Sequence, residues 1–129
     1  MTFTDDIKED LKRRDFTINA MAYNDEVGLV DPFDGVNAIR HGIIECVGSA
    51  KDRLAEDALR IMRAIRFASQ LEFIIMPDVK EEIHRQCENL KNVSIERINS
   101  EFCKIVMADG VCNHLALYHD VFFFLLFLN

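Results

Sequence analysis

Three arginines and one aspartate lie at regular intervals in the middle of the chain. Arg60, Arg63 and Arg66 are three residues apart, and Asp57 precedes Arg60 by three. At about 100° per residue, the three guanidinium groups spread over about 120° of a helix surface. Guanidinium groups donate planar pairs of hydrogen bonds to phosphate oxygens or to the edge of a base, and a neighbouring carboxylate can accept from an exocyclic amine. The pattern indicates either a nucleotide-binding face or a solvated face of ion pairs.

These charged side chains can share one exposed face only if they lie on a helix whose opposite face is buried. Ser49, with Asp52 three residues later, has the spacing of an N-cap. An apolar stripe at helical spacing follows, formed by Leu54, Ala58, Ile61, Met62, Ile65 and Ala68. We therefore expect one helix from Ser49 to about Gln70, with the arginines opposite the stripe.

A second charged cluster, Lys12 to Asp15, is followed four residues later by Asn19. Acidic residues open the segment 5–14 and basic residues close it, which is the order that complements a helix dipole. The cluster is thus either an ordinary charged helix end or part of a binding site.

Other sites that the composition could suggest have the wrong spacing. Gly48-Ser49 precedes Asp52, Glu56 and Asp57, but the printed sequence contains no Asp-x-Asp, so we interpret Ser49 as an N-cap. The four cysteines form no Cys-x-x-Cys pair, which argues against zinc and disulfides and favours a reduced, cytoplasmic protein. His119-Asp120 lacks the further ligands of a metal-dependent hydrolase. We predict no metal site in this chain.

The remaining segments predict a small, mainly α-helical α+β protein. A chain of 129 residues with net charge −7 is neither two independent domains nor a uniformly basic nucleic-acid binder, although a local basic patch could still bind RNA. Residues 16–23 are predicted to be extended and mostly buried, 24–26 to turn, and 31–35 to form a further turn. Helices are predicted for Pro77 to about Asn89, after Ser94, and for about 111–128.

The end of the chain is unusually apolar. Residues 121–128 form the longest apolar run, at eight residues less than half the length of a membrane-spanning helix. We expect no membrane insertion. An uncovered patch of this kind would favour self-association.

Four ordered motifs resemble those of the bacterial class II CCA-adding tRNA nucleotidyltransferase and poly(A) polymerase family. They are RRDFTINA at 13–20, DPFDG at 31–35, EDALR at 56–60 with RAIRFA at 63–68, and SIERI at 94–98 with Glu101. The EDALR and NAMAY sequences look closer to CCA-adding enzymes than to poly(A) polymerases. The resemblance is weakest after about Asp109.

The resemblance implies a role for each motif. Arg14, Asp15 and Asn19 match the motif that contacts the ribose and phosphates of the incoming nucleotide. Asp57 and Arg60 match the pair that reads the base of CTP or ATP, and Arg63 and Arg66 match arginines near the phosphates. The remaining matches are structural: Asp31, Asp34 and Gly35 in an element that couples head and neck, Glu56 beside the base-reading pair, and Glu96, Arg97 and Glu101 in a motif that braces the helix behind the site.

The resemblance also implies a domain order and a missing part. Residues 1–48 would end the nucleotidyltransferase head, 49–90 would form a helical neck, and 91–129 would begin the body. The tRNA 3′ end, CTP, ATP and Mg²⁺ would be its partners, but the family's metal-binding Asp-x-Asp precedes this segment. We therefore expect a truncated chain that is inactive alone. A poly(A) polymerase fragment, a helical nucleotide- or RNA-binding module needing a partner chain, and a purely structural helical domain remain alternatives.

Overall fold

The computed structural model describes residues 3–126 and confirms a mainly helical α+β fold. Its helices are α1 (Phe3–Leu11), α2 (Gly35–His41), α3 (Ala50–Glu56), α4 (Leu59–Leu71), α5 (Pro77–Gln86), α6 (Ile95–Val106), α7 (Val111–Leu117) and α8 (His119–Leu125). The strands are β1 (Ala22–Asn24), β2 (Gly28–Val30), β3 (Ile43–Ile44) and β4 (Ile74–Ile75), and short 3₁₀ helices occupy Thr17–Asn19 and Cys87–Asn92. Within the described range, no helix is both long enough and apolar enough to cross a bilayer.

The strands form two separate two-stranded sheets. β1 and β2 make an antiparallel hairpin in which Tyr23 lies opposite Leu29. The Asn24 side chain accepts hydrogen bonds from the Glu26 and Val27 backbone amides, which explains the predicted turn. β3 pairs in parallel with β4, so the segment before Ser49 is joined to the segment after α4.

Helix α4 positions the main core, because most of its apolar side chains are buried. It packs against β3 and β4 and against α6 and α7. Ile61, Met62 and Ile65 on this helix are fully buried in the main core. That core runs from Phe16 to Val121 and therefore crosses both predicted domain boundaries. The division at 48 and 90 stays a prediction.

The prediction of one continuous helix from Ser49 to Gln70 is wrong. The Ser49 hydroxyl does cap α3 by accepting from the Asp52 amide at 3.3 Å. The helix stops at Asp57, however, whose φ of −151° and ψ of 106° are extended. The Asp57 carboxylate accepts from the Leu59 amide at 3.1 Å and so caps the start of α4, because aspartate competes with the helical backbone for local amides.

Three other segments depart from the predicted elements. Residues 16–23 contain the 3₁₀ turn before β1, and Tyr23 is exposed, although Phe16 is buried and bridges to Cys46. The helix from Pro77 ends at Gln86 and continues as a 3₁₀ helix. The last predicted helix is two helices, α7 and α8, separated at the buried Tyr118.

The apolar end of the chain is only partly covered. Phe122, Phe124 and Leu125 pack against the main core, whereas Phe123 is 62% and Leu126 is 74% exposed. Residues 127 and 128 of the predicted patch lie outside the described range. Self-association through this end stays a prediction.

The DPFDG segment forms the N-terminus of α2. The two carboxylate oxygens of Asp31 accept from the Gly35 and Val36 amides at 2.7 and 3.0 Å. Asp34 adopts a left-handed conformation with φ of 60° and accepts from the Asn37 side chain. A Cβ at Gly35 would lie 2.3 Å from the Thr17 carbonyl oxygen. This glycine is therefore required by close backbone contact.

We expect Gly35→Ala to lower the free energy of unfolding by about 1–3 kcal/mol, because a backbone oxygen must move to admit the methyl group. Urea denaturation followed by circular dichroism measures the change. Ile39→Ala, which truncates an exposed residue on the same helix, is the control and should cost less than about 1 kcal/mol. Equal costs for the two variants would contradict the close contact.

Candidate functional site

A polar cavity of about 300 Å³ lies between the segment that follows α1 and the beginning of α4. Its lining comprises Arg13, Arg14, Asp15, Asn19, Asp57, Arg60, Arg63 and Arg97. Five of these residues are arginines and two are aspartates. The cavity is thus locally positive on a chain of net charge −7, and a positive concave surface attracts anions.

The two charged clusters of the sequence meet at Asp15 and Arg63. The Arg63 Nε donates to Asp15 Oδ2 at 2.6 Å across 48 residues of sequence. Asp15 is buried, and its other carboxylate oxygen accepts from the Phe16 amide at 2.8 Å. The backbone of this segment is also fixed, since the Asp15 carbonyl accepts from the Val47 amide. The cavity walls are therefore joined by a charge-assisted hydrogen bond.

Asp57 lies at the bend between α3 and α4, where its carboxylate is held by two donors. Oδ1 accepts from the Leu59 amide, and Oδ2 accepts from Arg97 Nη2 at 2.9 Å. Burial raises the pKa of Asp57, but the hydrogen bonds from Arg97 and the Leu59 backbone outweigh burial and leave the pKa below its ordinary value. Asp57 is thus an ionised acceptor at neutral pH.

The guanidinium group of Arg60 is held by two residues of α3, Glu56 and Arg53. Its Nη1 donates to Glu56 Oε2 at 2.8 Å and to the Arg53 carbonyl at 2.9 Å. The Arg60 hydrogen bond lowers the pKa of Glu56, which also pairs with Arg53. Arg53 in turn donates to the carbonyl of Lys12 at 3.1 Å. Glu56 and Arg53 therefore position Arg60 and tie α3 to the segment after α1.

Arg66 does not line this cavity, contrary to the expectation of three arginines on one binding face. Its Nε lies 2.8 Å from Glu101 Oε2, and its guanidinium lies 4.5 Å from the centroid of the Phe67 ring. Glu101 is buried and also lies 3.8 Å from Arg63 Nη1. The Arg66 side chain is only 13% exposed. The structure thus places Arg66 in the contact between α4 and α6, next to the site.

The structure brings six of the seven predicted nucleotide-binding residues to the cavity, all except Arg66. It adds Arg13 and Arg97 to the lining. Arg13 is the first residue of the RRDFTINA motif, and this position is the signal that could have identified it. Arg97, predicted to brace the helix, reaches the cavity from α6. The DPFDG residues and Glu96 do not line it.

Several cysteines and histidines lie outside the polar cavity. Burial raises the pKa of the Cys46 thiol to about 12, which disfavours a thiolate nucleophile. His84 lies 2.6 Å from Asp120 and stacks on Tyr118, at the contact of α5 with α8. Burial lowers the pKa of His114. In residues 3–126, no group of three or more histidine, cysteine or acidic side chains is arranged to hold a metal ion. Both aspartates of the polar cavity are paired with arginines, Asp15 with Arg63 and Asp57 with Arg97.

Two family models match the chain. The poly(A) polymerase head domain matches residues 1–45, and the model described as a probable RNA- and SrmB-binding site of polymerase A matches residues 72–119. The polar cavity combines residues from the first match, from the second match and from the intervening segment.

Curated and solved relatives are similar over most of this chain. The CCA-adding enzyme of Lactobacillus johnsonii is 46% identical over 110 residues, which is 85% of this chain and 28% of that protein. The crystal structure of the Bacillus stearothermophilus CCA-adding enzyme in complex with CTP gives a TM-score of 0.83 at 44% identity, over 86% of this chain and 28% of that one. The Thermotoga maritima CCA-adding enzyme complexed with tRNA gives 0.79 at 30% identity, over 89% and 29% of the two chains. The chain thus spans about 28% of the length of the curated relatives it matches.

We expect Arg63→Met to lower the free energy of unfolding by about 2–4 kcal/mol, because the buried Asp15 carboxylate loses its charged partner. Urea denaturation at pH 7 measures the loss, and a second substitution, Asp15→Asn, should restore part of it. Lys12→Met removes an exposed pair with Glu9 and should cost no more than about 1 kcal/mol. A stability of Arg63→Met equal to that of Lys12→Met would contradict the ion pair.

Proposed function

Because the chain belongs to the family of CCA-adding enzymes and poly(A) polymerases, we propose that it is the nucleotide-recognition part of an enzyme that transfers CMP and AMP from CTP and ATP to the 3′ end of tRNA. The observation that carries the proposal is the convergence of Arg14, Asp15, Asp57 and Arg60 on one polar cavity. These residues come from two segments that only the fold brings together.

The base is read by Asp57 and Arg60. Cytosine and adenine both carry an exocyclic amine that donates next to a ring nitrogen that accepts, whereas uracil and guanine have carbonyl oxygens at the corresponding positions. The ionised Asp57 carboxylate accepts from the amine, and Arg60 donates to the ring nitrogen. The Arg60 contacts in the described chain use Nη1, so Nε and Nη2 remain for the base.

The ribose and phosphates lie towards the segment after α1. Arg14, Asp15 and Asn19 form this wall, and Asp15 is fixed in place by Arg63. Hydroxyl groups of a ribose can donate to the Asp15 carboxylate, and the guanidinium groups neutralise the phosphates. The excess of arginine over aspartate in the lining supports a polyanionic ligand.

We propose that the polar cavity does not supply the metal chemistry of the transfer. Mg²⁺ supplies charge neutralisation of the phosphates in nucleotidyl transfer. Because both aspartates of the polar cavity are paired with arginines, we propose that this chain binds nucleotides but does not add them alone. The same observation supports a second candidate, a recognition module that works with a separate chain carrying the metal ligands.

We expect the chain to bind CTP and ATP more tightly than UTP, and Asp57→Asn to reduce the preference for CTP over UTP by at least about tenfold. The amide replaces one charged acceptor by a donor, which costs a charge-assisted hydrogen bond. Isothermal titration with each nucleotide, without added metal, measures the ratio. Asp109→Asn, in an exposed position outside the cavity, is the matched control. A wild-type chain that binds CTP and UTP equally would overturn the proposed function.

We expect no incorporation when the chain is incubated with radiolabelled CTP and ATP, Mg²⁺ and tRNA lacking its terminal CCA. The incorporation is measured on a sequencing gel. Robust Mg²⁺-dependent addition by the chain alone would contradict its proposed dependence on a separate metal site. Addition of adenylate in the absence of CTP would instead favour poly(A) polymerase chemistry.

A further inference from the structure

Arg97 contacts the base-reading carboxylate from a helix that carries none of the other cavity residues. It is the third residue of α6, and its backbone amide is held by the Ser94 hydroxyl at 3.4 Å. From there its side chain reaches Asp57 Oδ2 at 2.9 Å across 40 residues of sequence. An arginine that only braced the helix backbone would not need to end at this carboxylate.

The Asp57 carboxylate needs a side-chain contact to fix its orientation, because the backbone at Asp57 is extended. A carboxylate within a regular helix is oriented by the helix, but Asp57 lies between α3 and α4. The Leu59 amide fixes only Oδ1. Arg97 fixes the second oxygen and leaves its other lone pair available to a ligand, since a carboxylate oxygen accepts two hydrogen bonds.

The Asp57–Arg97 pair lines two cavities. Both residues line the proposed nucleotide cavity, and both line a second cavity of about 340 Å³, with Asn89 and Asn92. Without Arg97, the carboxylate could turn towards this second space and away from the base. The pair thus defines the direction in which Asp57 accepts.

We propose, on the basis of the proposed function, that Arg97 is a positioning residue that sets base selectivity by orienting the ionised Asp57 carboxylate towards the exocyclic amine of cytosine or adenine. Arg97 does this through Oδ2 of Asp57 and not through the nucleotide. Its role is distinct from that of Arg60, which donates to the base.

Because the Asp57 carboxylate is charged, the proposed role of Arg97 should depend on pH. The charged groups around Asp57 are Glu56 on α3, Arg60 and Arg63 on α4, Arg97 on α6, and Arg13, Arg14 and Asp15 on the opposite wall. Burial raises the pKa of Asp57 and the Arg97 hydrogen bond lowers it. Loss of Arg97 should therefore move the protonation of Asp57 to higher pH, and the protonated carboxyl accepts less well from an amine.

The test compares the dissociation constants of CTP and UTP for Arg97→Met, Arg97→Lys and the wild-type chain at pH 5 and pH 8. We expect Arg97→Met to lose at least about tenfold in CTP affinity, the size of one charge-assisted hydrogen bond, and little in UTP affinity. The ratio of variant to wild-type constants for CTP should be larger at pH 5 than at pH 8. Protonation of CTP itself affects the constants of the variant and of the wild-type chain equally, so it does not change this ratio. Arg97→Lys should restore the pH independence because it keeps the positive charge.

Arg40→Met, an exposed substitution on α2 outside the cavity, is the matched control and should leave both affinities unchanged. If Arg97→Met fails to fold by circular dichroism, Arg97→Gln, which keeps a neutral donor, takes its place with the same expected pH shift. If the folded Arg97 variant prefers CTP over UTP as strongly as the wild-type chain does at both pH values, the role of Arg97 is overturned and the proposed function is left intact. No wild-type preference would overturn the proposed function instead.

Discussion

The hydrogen bond between Asp15 and Arg63 is the contact on which the site depends. It joins the segment after α1 to the central helix, and its 2.6 Å length and the burial of Asp15 make it the tightest connection between the cavity walls. The bond from Arg53 to the Lys12 carbonyl ties the same segment to α3, but it does not reach α4. Charges this close to an apolar core are stable only when paired, so the fold and the site share one requirement.

The bend at Asp57 is the second constraint. It interrupts a pattern that would otherwise continue as one helix, and so releases a carboxylate from the helix surface into the cavity. Two arginines that follow the bend on α4 are paired with acids that do not line that cavity, Arg60 with Glu56 and Arg66 with Glu101. This arrangement leaves Asp57, in contact with Arg97, as the acceptor at the bend. A base-reading pair needs this kind of preorganisation, because each donor and acceptor must already point at the ligand.

The periodic parts of the fold were predictable from the sequence, and the interruptions were not. The stripe that contains Ile61, Met62 and Ile65 identifies α4 because burial at helical spacing leaves a clear pattern. The break at Asp57 has no such pattern, since Ala58 and Leu59 are good helix formers and the capping depends on one side-chain hydrogen bond. Tyr118, which separates α7 from α8, is likewise compatible with one helix. The sequence motifs placed Asp57 and Arg60 at the site, but the contact of Arg97 with Asp57 depends on how α6 packs on α4, and spacing along the chain does not encode that distance.

A crystal structure of the chain with CTP shows directly whether the two charged segments form one nucleotide site. We expect the cytosine in the cavity between Asp15 and Asp57, with its amine at hydrogen-bond distance from the Asp57 carboxylate and the phosphates of CTP among the arginines. A nucleotide bound elsewhere, or one whose base makes no contact with Asp57 or Arg60, would contradict this expectation.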